Sequence, residues 1–293
     1  MIEHLRIQAN GITLHVAKAG AGRPLLLLHG WPEFWLTWEP VMARLADRFT
    51  LIAPDLRGFG ESDKPDGEAP SDKAGPSVHA ADMAALTQAL GLTRFGVVSH
   101  DVGAWVTQAL GRSEASRLAG LFFFDCPYPG IGGRWSVPEH LREIWYQSFH
   151  QTPMAARLVG ATRETCRLYF GHFLRHWSRR QDAFDTVLED WVDNFLRPGN
   201  VQGGFNWYVS VNAERLAAMA GQTPTLAPIT VPACVRWGDS TILPSRWGDR
   251  LGETFTDLDF AEFPGVGHFP HREDPDRASA EIAAFFDRVW PAG

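Results

Sequence analysis

Cysteine is scarce in this chain: three in 293 residues, at Cys126, Cys166 and Cys234, far apart and never in a C-x-x-C spacing. So sparse and odd a set offers neither a zinc site nor a disulfide framework, and it suits a reducing compartment. Positive charge is also short. Lys and Arg number 27 against 34 Asp and Glu, a net charge of -7, whereas a nucleic-acid partner would call for a basic stripe. The one short basic run, Arg175, Arg179 and Arg180, reads as a solvated helix face. Long apolar runs are missing too. Stretches such as Leu25 to Leu28 are far too short to span a bilayer, so no membrane association is expected. No charged segment followed by an apolar one precedes the strand-like start MIEHLRIQANGITLHV, so no signal peptide is read and a cytoplasmic location is expected. Tyrosine is rare, at four residues, but tryptophan reaches twelve. Many of these indoles fall in the middle third, which points to a pocket or insertion lined with aromatic surface, with aromatic core as the plain alternative.

What is present is an alternation. ITLHVAKAG, PLLLLHG, TLIAPDLRGFG, RFGVVSHDVG and LAGLFFFDCPYPG read as strands. Between them EPVMARLADRF, SVHAADMAALTQALGL (with Ser77 as its cap) and WVTQALGRSEASR have helical periodicity. Strands apolar on both sides and alternating with helices predict a mostly parallel sheet covered on both faces. From about residue 130 to 222 the strand signal stops, and helical segments such as PEHLREIWYQSFH, RETCRLYFGHFLRHW and FDTVLEDWVDNFL follow one another. The alternation resumes with VPACVRWGD, a helix, LDFAEFPGVGH and the closing helix DRASAEIAAFFDRVW. The expected organisation is a core of residues 1–129 and 223–293 split by an all-helical cap, 130–222, of the kind that closes over active sites. The stretch 63–77 reads as a mobile surface loop.

The chemistry concentrates where a strand meets a helix, in Val97-Val98-Ser99-His100-Asp101-Val102-Gly103-Ala104. A nucleophile elbow is a strained turn that needs small residues two places either side of its centre. Centred on Asp101, those places hold Ser99 and Gly103, and both fit. Centred on Ser99 they would hold Val97 and Asp101, and the pattern fails. The plain alternative is that Asp101 caps a helix. A carboxylate nucleophile attacks a saturated carbon and becomes an ester of itself. Water must then cleave that ester with a histidine as general base. Substrates should therefore carry an electrophilic sp³ carbon with a leaving group, as an epoxide or alkyl halide does. No metal or cofactor is called for.

Upstream lies His29-Gly30-Trp31-Pro32. H-G-x-P followed by a distant S/G-H-D-x-G resembles the epoxide hydrolases of the α/β-hydrolase fold and their haloalkane and fluoroacetate dehalogenase relatives, and the resemblance runs in order along nearly the whole chain. It implies an α/β-hydrolase fold with an inserted cap, and an oxyanion hole from the backbone N–H groups of Trp31 and Val102. It gives His29 a structural role in that loop. Of the two histidines in FPGVGHFPHREDP, the resemblance selects His268 as base and leaves His271 as a surface residue of a charged turn. For the orienting acid, relatives use either of two strand ends. Asp125 in LFFFDCPYPG matches the first and is preferred. Asp239 in VRWGDSTILP is the alternative, although that stretch is one residue short of the commoner W-G-x-x-D, with Thr241 where the acid would fall.

Epoxide and halide differ in what the leaving atom needs: an epoxide oxygen takes a proton, a halide only weak N–H donors. Tyr146, followed by Gln147, and Tyr208 in Asn206-Trp207-Tyr208 resemble the paired lid tyrosines of epoxide hydrolases. Either alone could equally be packing. Trp105, Gln147 and Trp207 are expected to line the substrate pocket. Haloalkane dehalogenases typically place Trp where this chain has Val102, and often Asn where it has Trp31. Fluoroacetate dehalogenases place arginines at the positions of Val102 and Trp105 and a His-Trp pair at Tyr146-Gln147. The leading expectation is thus hydrolysis of an apolar or aromatic epoxide to a vicinal diol. Dehalogenation by the same triad, with Trp31 or Trp105 offering an N–H to a halide, is the alternative. A non-catalytic ligand-binding protein on the same scaffold comes third. The aromatic cap surface also makes a homodimer an option.

Overall fold

A computed structural model describes residues 1–67, 69–222 and 225–291. Eight strands form one sheet: β1 (Glu3–Ala9), β2 (Ile12–Ala19), β3 (Arg23–Leu28), β4 (Phe49–Pro54), β5 (Phe95–His100), β6 (Leu118–Phe124), β7 (Ala233–Trp237) and β8 (Leu258–Glu262). Their order across the sheet is β1-β2-β4-β3-β5-β6-β7-β8. Strand β2 runs antiparallel to both β1 and β4, and all other pairings are parallel. The β1–β2 hairpin turns on Asn10 and Gly11, both at positive φ (48° and 78°), as a two-residue hairpin turn of this hand requires.

The central strands bury both faces, which is why they read as continuous apolar runs. Along β3, Leu25 and Leu27 enter one core and Leu26 and Leu28 the other, the alternation that a pleated strand imposes. One core packs under the Glu39–Leu45 and Pro275–Val289 helices. The other continues without a break from the Val102–Ser113 helix into the insertion, joining Val97 and Val102 to Trp31, Tyr146, Trp177 and Tyr208. After β3 the chain crosses to β4 on one side, and the next strand, β5, returns to the other. The carboxyl ends of β3 and β5 therefore flank the point where strand order reverses, the place where α/β sheets gather their sites.

Between β6 and β7 the described residues form helices, the longer ones being Arg163–His176, Leu188–Phe195, Asn200–Ser210 and Asn212–Met219. The expected return to the core at residue 223 falls outside the described residues. Several local expectations need correction. The helix Pro76–Ala89 is capped by Gly75 without a side-chain bond. Ser77 lies in its first turn, because a proline at the start already supplies the helical φ. PEHLREIWYQSFH breaks into Pro138–Leu141 and Trp145–Phe149, which turns Tyr146 and Gln147 inward while Leu141 and Trp145 stay exposed. The 63–77 stretch is anchored to the insertion at two points. The Ser71 and Ala74 N–H groups donate to Asn206 Oδ1 (3.0 Å) and Ser210 Oγ (2.8 Å) on the Asn200–Ser210 helix, and Glu68 is outside the described residues. No described helix is long and apolar enough to cross a membrane.

Candidate active site

Asp101 stands between the last residue of β5 and the first of the Val102–Ser113 helix with φ 49° and ψ -111°. A non-glycine residue held there costs on the order of 1–3 kcal/mol, and surrounding structure must enforce it. The enforcement is visible in two glycines. A Cβ on Gly103 would collide with the Leu28 carbonyl, and one on Gly30 would come within 2.6 Å of the Asp101 Cβ. The small residue at Gly103 is thus a steric requirement of the tight approach to β3. One strand over, at the end of β6, Asp125 also takes a positive φ, 40°.

The two carboxylates have different surroundings. Asp101 is partly accessible and faces the insertion. Its Oδ1 accepts the Trp31 N–H at 3.0 Å, and its Oδ2 lies 3.8 Å from His268 Nε2, beyond a direct hydrogen bond. The neighbouring Val102 N–H, at the first helical position, has no intrahelical acceptor. Asp125 is wholly buried. It accepts from His268 Nδ1 at 2.9 Å, Gly238 N at 2.6 Å and Ser240 Oγ at 3.4 Å. Because Nδ1 donates to Asp125, the His268 lone pair sits on Nε2, the nitrogen turned toward Asp101 and otherwise unpartnered. Burial, reinforced by the charge of His100, pulls His268 down to about 3. Burial pushes its partner Asp125 the other way, up to about 8, so burial disfavours charge on both groups and the resting imidazole is neutral.

The geometry separates the two candidate acids. Asp239 has its carboxylate 69% exposed and paired with Arg179 at 3.5 Å, so it does not reach His268. The WGDSTILP stretch instead wraps around Asp125, supplying Gly238 N–H and Ser240 Oγ as donors. His271, expected at the surface, is fully buried. The chain folds back after β8, and the short Pro270–Glu273 helix presses this ring onto Trp38, with centroids 4.5 Å apart.

Beneath the elbow lies a charge cluster that the motif reading did not single out. Glu33 accepts from His100 Nδ1 (2.6 Å) and Gly30 N (2.8 Å) on one oxygen, and from Thr37 Oγ1 (2.5 Å) and His271 Nε2 (2.9 Å) on the other. His100 Nε2 donates to the His268 carbonyl at 2.7 Å. Burial pulls the His100 imidazole down, but Glu33 beside it outweighs that and raises it to about 9. Glu33 is held well below its usual value, the His100 and His271 imidazoles overcoming the upward push of burial. Ligand atoms of Glu33, His100 and His271 lie within 4.8 Å of one another. Both His100 nitrogens and both Glu33 oxygens are already engaged, so the set reads as an ion-pair network. Its sequence signals were a lone imidazole ending an otherwise apolar strand and an acid directly after His-Gly-Trp-Pro. His29 holds the same loop: its Nδ1 bonds the Gly30 carbonyl at 2.8 Å, and its Nε2 accepts the Leu56 N–H at 3.1 Å.

Above the elbow the insertion contributes rings. Trp31 stacks on Tyr146 (centroids 5.0 Å, planes 6° apart) and meets Tyr208 edge-on at 5.6 Å. The two tyrosines meet edge-on at 5.3 Å. Burial, then the Asp101 charge, raises Tyr146, with Gln147 and Tyr208 pulling back. Tyr208 is raised as well, by burial, then by Tyr146 and Asp101. Both phenols keep their protons and lie within the field of the Asp101 carboxylate. Trp177, which sequence reasoning passed over, packs 5.4 Å from the His268 ring, with its indole N–H buried and unpartnered. Gln147 donates to Tyr146 Oη at 3.3 Å. Trp207 does not join these rings: it packs against His79 at 5.6 Å, about a 100° turn of the helix from Tyr208. Trp105 is half-buried against the core, and the Trp31 indole edge lies along Gly204.

Residues 25–282 match the model of the alpha/beta hydrolase family. This chain belongs to that family. The soluble epoxide hydrolase of Corynebacterium sp. (strain C12) is 31% identical over 297 residues, covering 97% of each protein. A fluoroacetate dehalogenase from Burkholderia sp. is 26% identical, covering 97% of this chain and 93% of its own. The solved structure of the epoxide hydrolase CorEH without ligand superposes with a TM-score of 0.83 at 26% identity, over 99% of this chain and all of that one. The resemblance read from the motifs is borne out across the full chain of this alpha/beta hydrolase.

Proposed function

We propose that this alpha/beta hydrolase opens apolar or aromatic epoxides to vicinal diols through a covalent ester on Asp101. The observation that carries the reading is the division of labour on one carboxylate. Its Oδ1 is held by the Trp31 N–H, its Oδ2 faces an unpartnered imidazole nitrogen, and two buried, protonated phenols lie on the insertion side.

In the first step Asp101 Oδ2 bonds to a ring carbon, and the carbon–oxygen bond of the epoxide breaks toward the oxygen. That oxygen takes a proton from Tyr146 or Tyr208, the role a positioned acid plays in stabilising an alkoxide. In the second step water adds to Asp101 Cγ while His268 Nε2 takes its proton. The Trp31 and Val102 N–H groups hold the resulting oxyanion. Collapse expels the diol, whose leaving oxygen takes the proton from His268, and Asp101, left as the neutral acid, then returns its proton to the tyrosinate of the first step. Asp125 keeps the imidazole in the tautomer that the second step uses and stabilises the cation that forms. In this reading the helical insertion is a cap.

The test is intact-protein mass spectrometry of His268→Gln mixed with styrene oxide. A stoichiometric adduct on Asp101 is expected, and its absence would contradict covalent catalysis. The unpartnered Trp177 indole N–H beside His268 supports a second reading, halide displacement. Bromide release from a bromoalkane or fluoride from fluoroacetate, without diol from styrene oxide, would put that reading first. Saturable binding with no turnover of either class would favour a ligand-binding protein.

A further inference from the structure

Behind the paired tyrosines sits a positive charge that, among the described residues, no acid neutralises. Arg215, on the Asn212–Met219 helix, is half-buried, and its Nε is buried without an acceptor. Its Nη2 donates to Asn212 Oδ1 at 3.0 Å and its Nη1 to Gln147 Oε1 at 3.3 Å. Among the described residues no carboxylate lies within ion-pair distance of it. Asn212 Oδ1 is in turn braced by the Gln151 side chain at 3.0 Å.

A guanidinium has donors only. The Gln147 group facing it must therefore be the amide oxygen, and this fixes which way round the amide sits. The opposite end, Nε2, then points at Tyr146 Oη and donates at 3.3 Å. A phenol oxygen that accepts from this side turns its own O–H away from Gln147. Were the amide reversed, its oxygen would capture the Tyr146 proton and remove the acid from the reaction. When Tyr146 gives up its proton, the same N–H remains on the phenolate oxygen with the Arg215 charge behind it.

We propose that Arg215 is a positioning residue for leaving-group protonation: through the Gln147 amide it holds the Tyr146 hydroxyl free to donate to the substrate's ring oxygen. The inference rests on the epoxide reading above and deepens it. It concerns only the first step, because the ester hydrolysis on Asp101 involves no phenol.

The test follows adduct formation in the His268→Gln protein, with styrene oxide, acid quench and intact mass. Adding Arg215→Met should slow the adduct about 10- to 100-fold, within the span that general acids contribute. Arg215→Lys, which restores a donor and a charge, should return the rate to within about 3-fold, a rescue that loss of packing alone would not show. Gln147→Glu offers only acceptors and should slow adduct formation as much as Tyr146→Phe does. In the His268-intact protein, decay of the adduct should be the same with and without Arg215→Met. Unchanged adduct formation in both Arg215→Met and Gln147→Glu, or equal slowing of formation and decay, overturns the proposal. If the parent His268→Gln protein gives no adduct, the epoxide reading has failed first, and this inference falls with it.

Discussion

The two sides of the site are built from opposite materials. On the sheet side, charge is dense and each charged group is answered by hydrogen bonds: Asp125 has three donors, Glu33 has four, and His100 spans from Glu33 to the His268 carbonyl. On the insertion side, rings pack on rings, with Trp31, Tyr146, Phe173, Trp177 and Tyr208 in contact and the Arg215 cation reaching toward the phenols. Buried charge survives only when paired, so the sheet side is rigid and over-determined. The insertion is held by apolar contacts and a few polar links, and can change its lining without dismantling the fold. The difference separates two chemical tasks. In the proposed mechanism, cleaving an aspartyl ester belongs to the sheet and choosing the leaving atom belongs to the insertion.

The largest effect should come from breaking the sheet side. Asp101→Ala should abolish both adduct and diol, a loss of at least about 10⁴-fold, in mass spectrometry and steady-state assays alike. Breaking the insertion side should be selective. Tyr146→Phe and Tyr208→Phe should each slow adduct formation from an epoxide by roughly 10²-fold while leaving adduct decay nearly untouched in quench-flow. Equal slowing of both steps would erase the separation drawn here.

Smaller effects sharpen the contrast in charge. Glu33→Gln leaves a cationic partner without its anion and should cost about 3–5 kcal/mol in urea unfolding. The same pair predicts a pH dependence. His100 is raised from 6.5 to about 9 in the folded chain. Its contribution to stability is therefore fully present below about pH 6.5 and is lost as pH climbs through about 9. The melting temperature should decline across that window in the wild type, and Glu33→Gln should flatten the decline. Least of all, Asp239→Asn removes an exposed surface pair and should change turnover by no more than about twofold.

The sheet was legible because its constraints are local. Strands apolar on both faces announced a covered parallel sheet, and the elbow required Gly103 at a fixed spacing from Asp101. What stayed hidden was set by long-range packing. Asp125 and Asp239 look alike as acids after strands, and only the fold shows the Gly238 loop donating to one while the other faces solvent. His271 reads as part of a charged turn until Pro270–Glu273 closes onto Trp38. Glu33 and His100 lie 67 residues apart, and nothing local says that they meet. In the insertion, periodicity revealed helices but not their facing, so Trp207 was expected beside Tyr208 and instead turns to His79. Arg215 carries no motif that would single it out.

The most direct measurement is a single turnover of styrene oxide by excess protein in H₂¹⁸O, followed by mass analysis of both diol and the Asp101 peptide. Attack of water on the ester carbonyl predicts one ¹⁸O atom in the Asp101 carboxylate and none in the first diol released. Label in that first diol, with Asp101 unlabelled, would mean that water attacks the epoxide directly and that no ester forms.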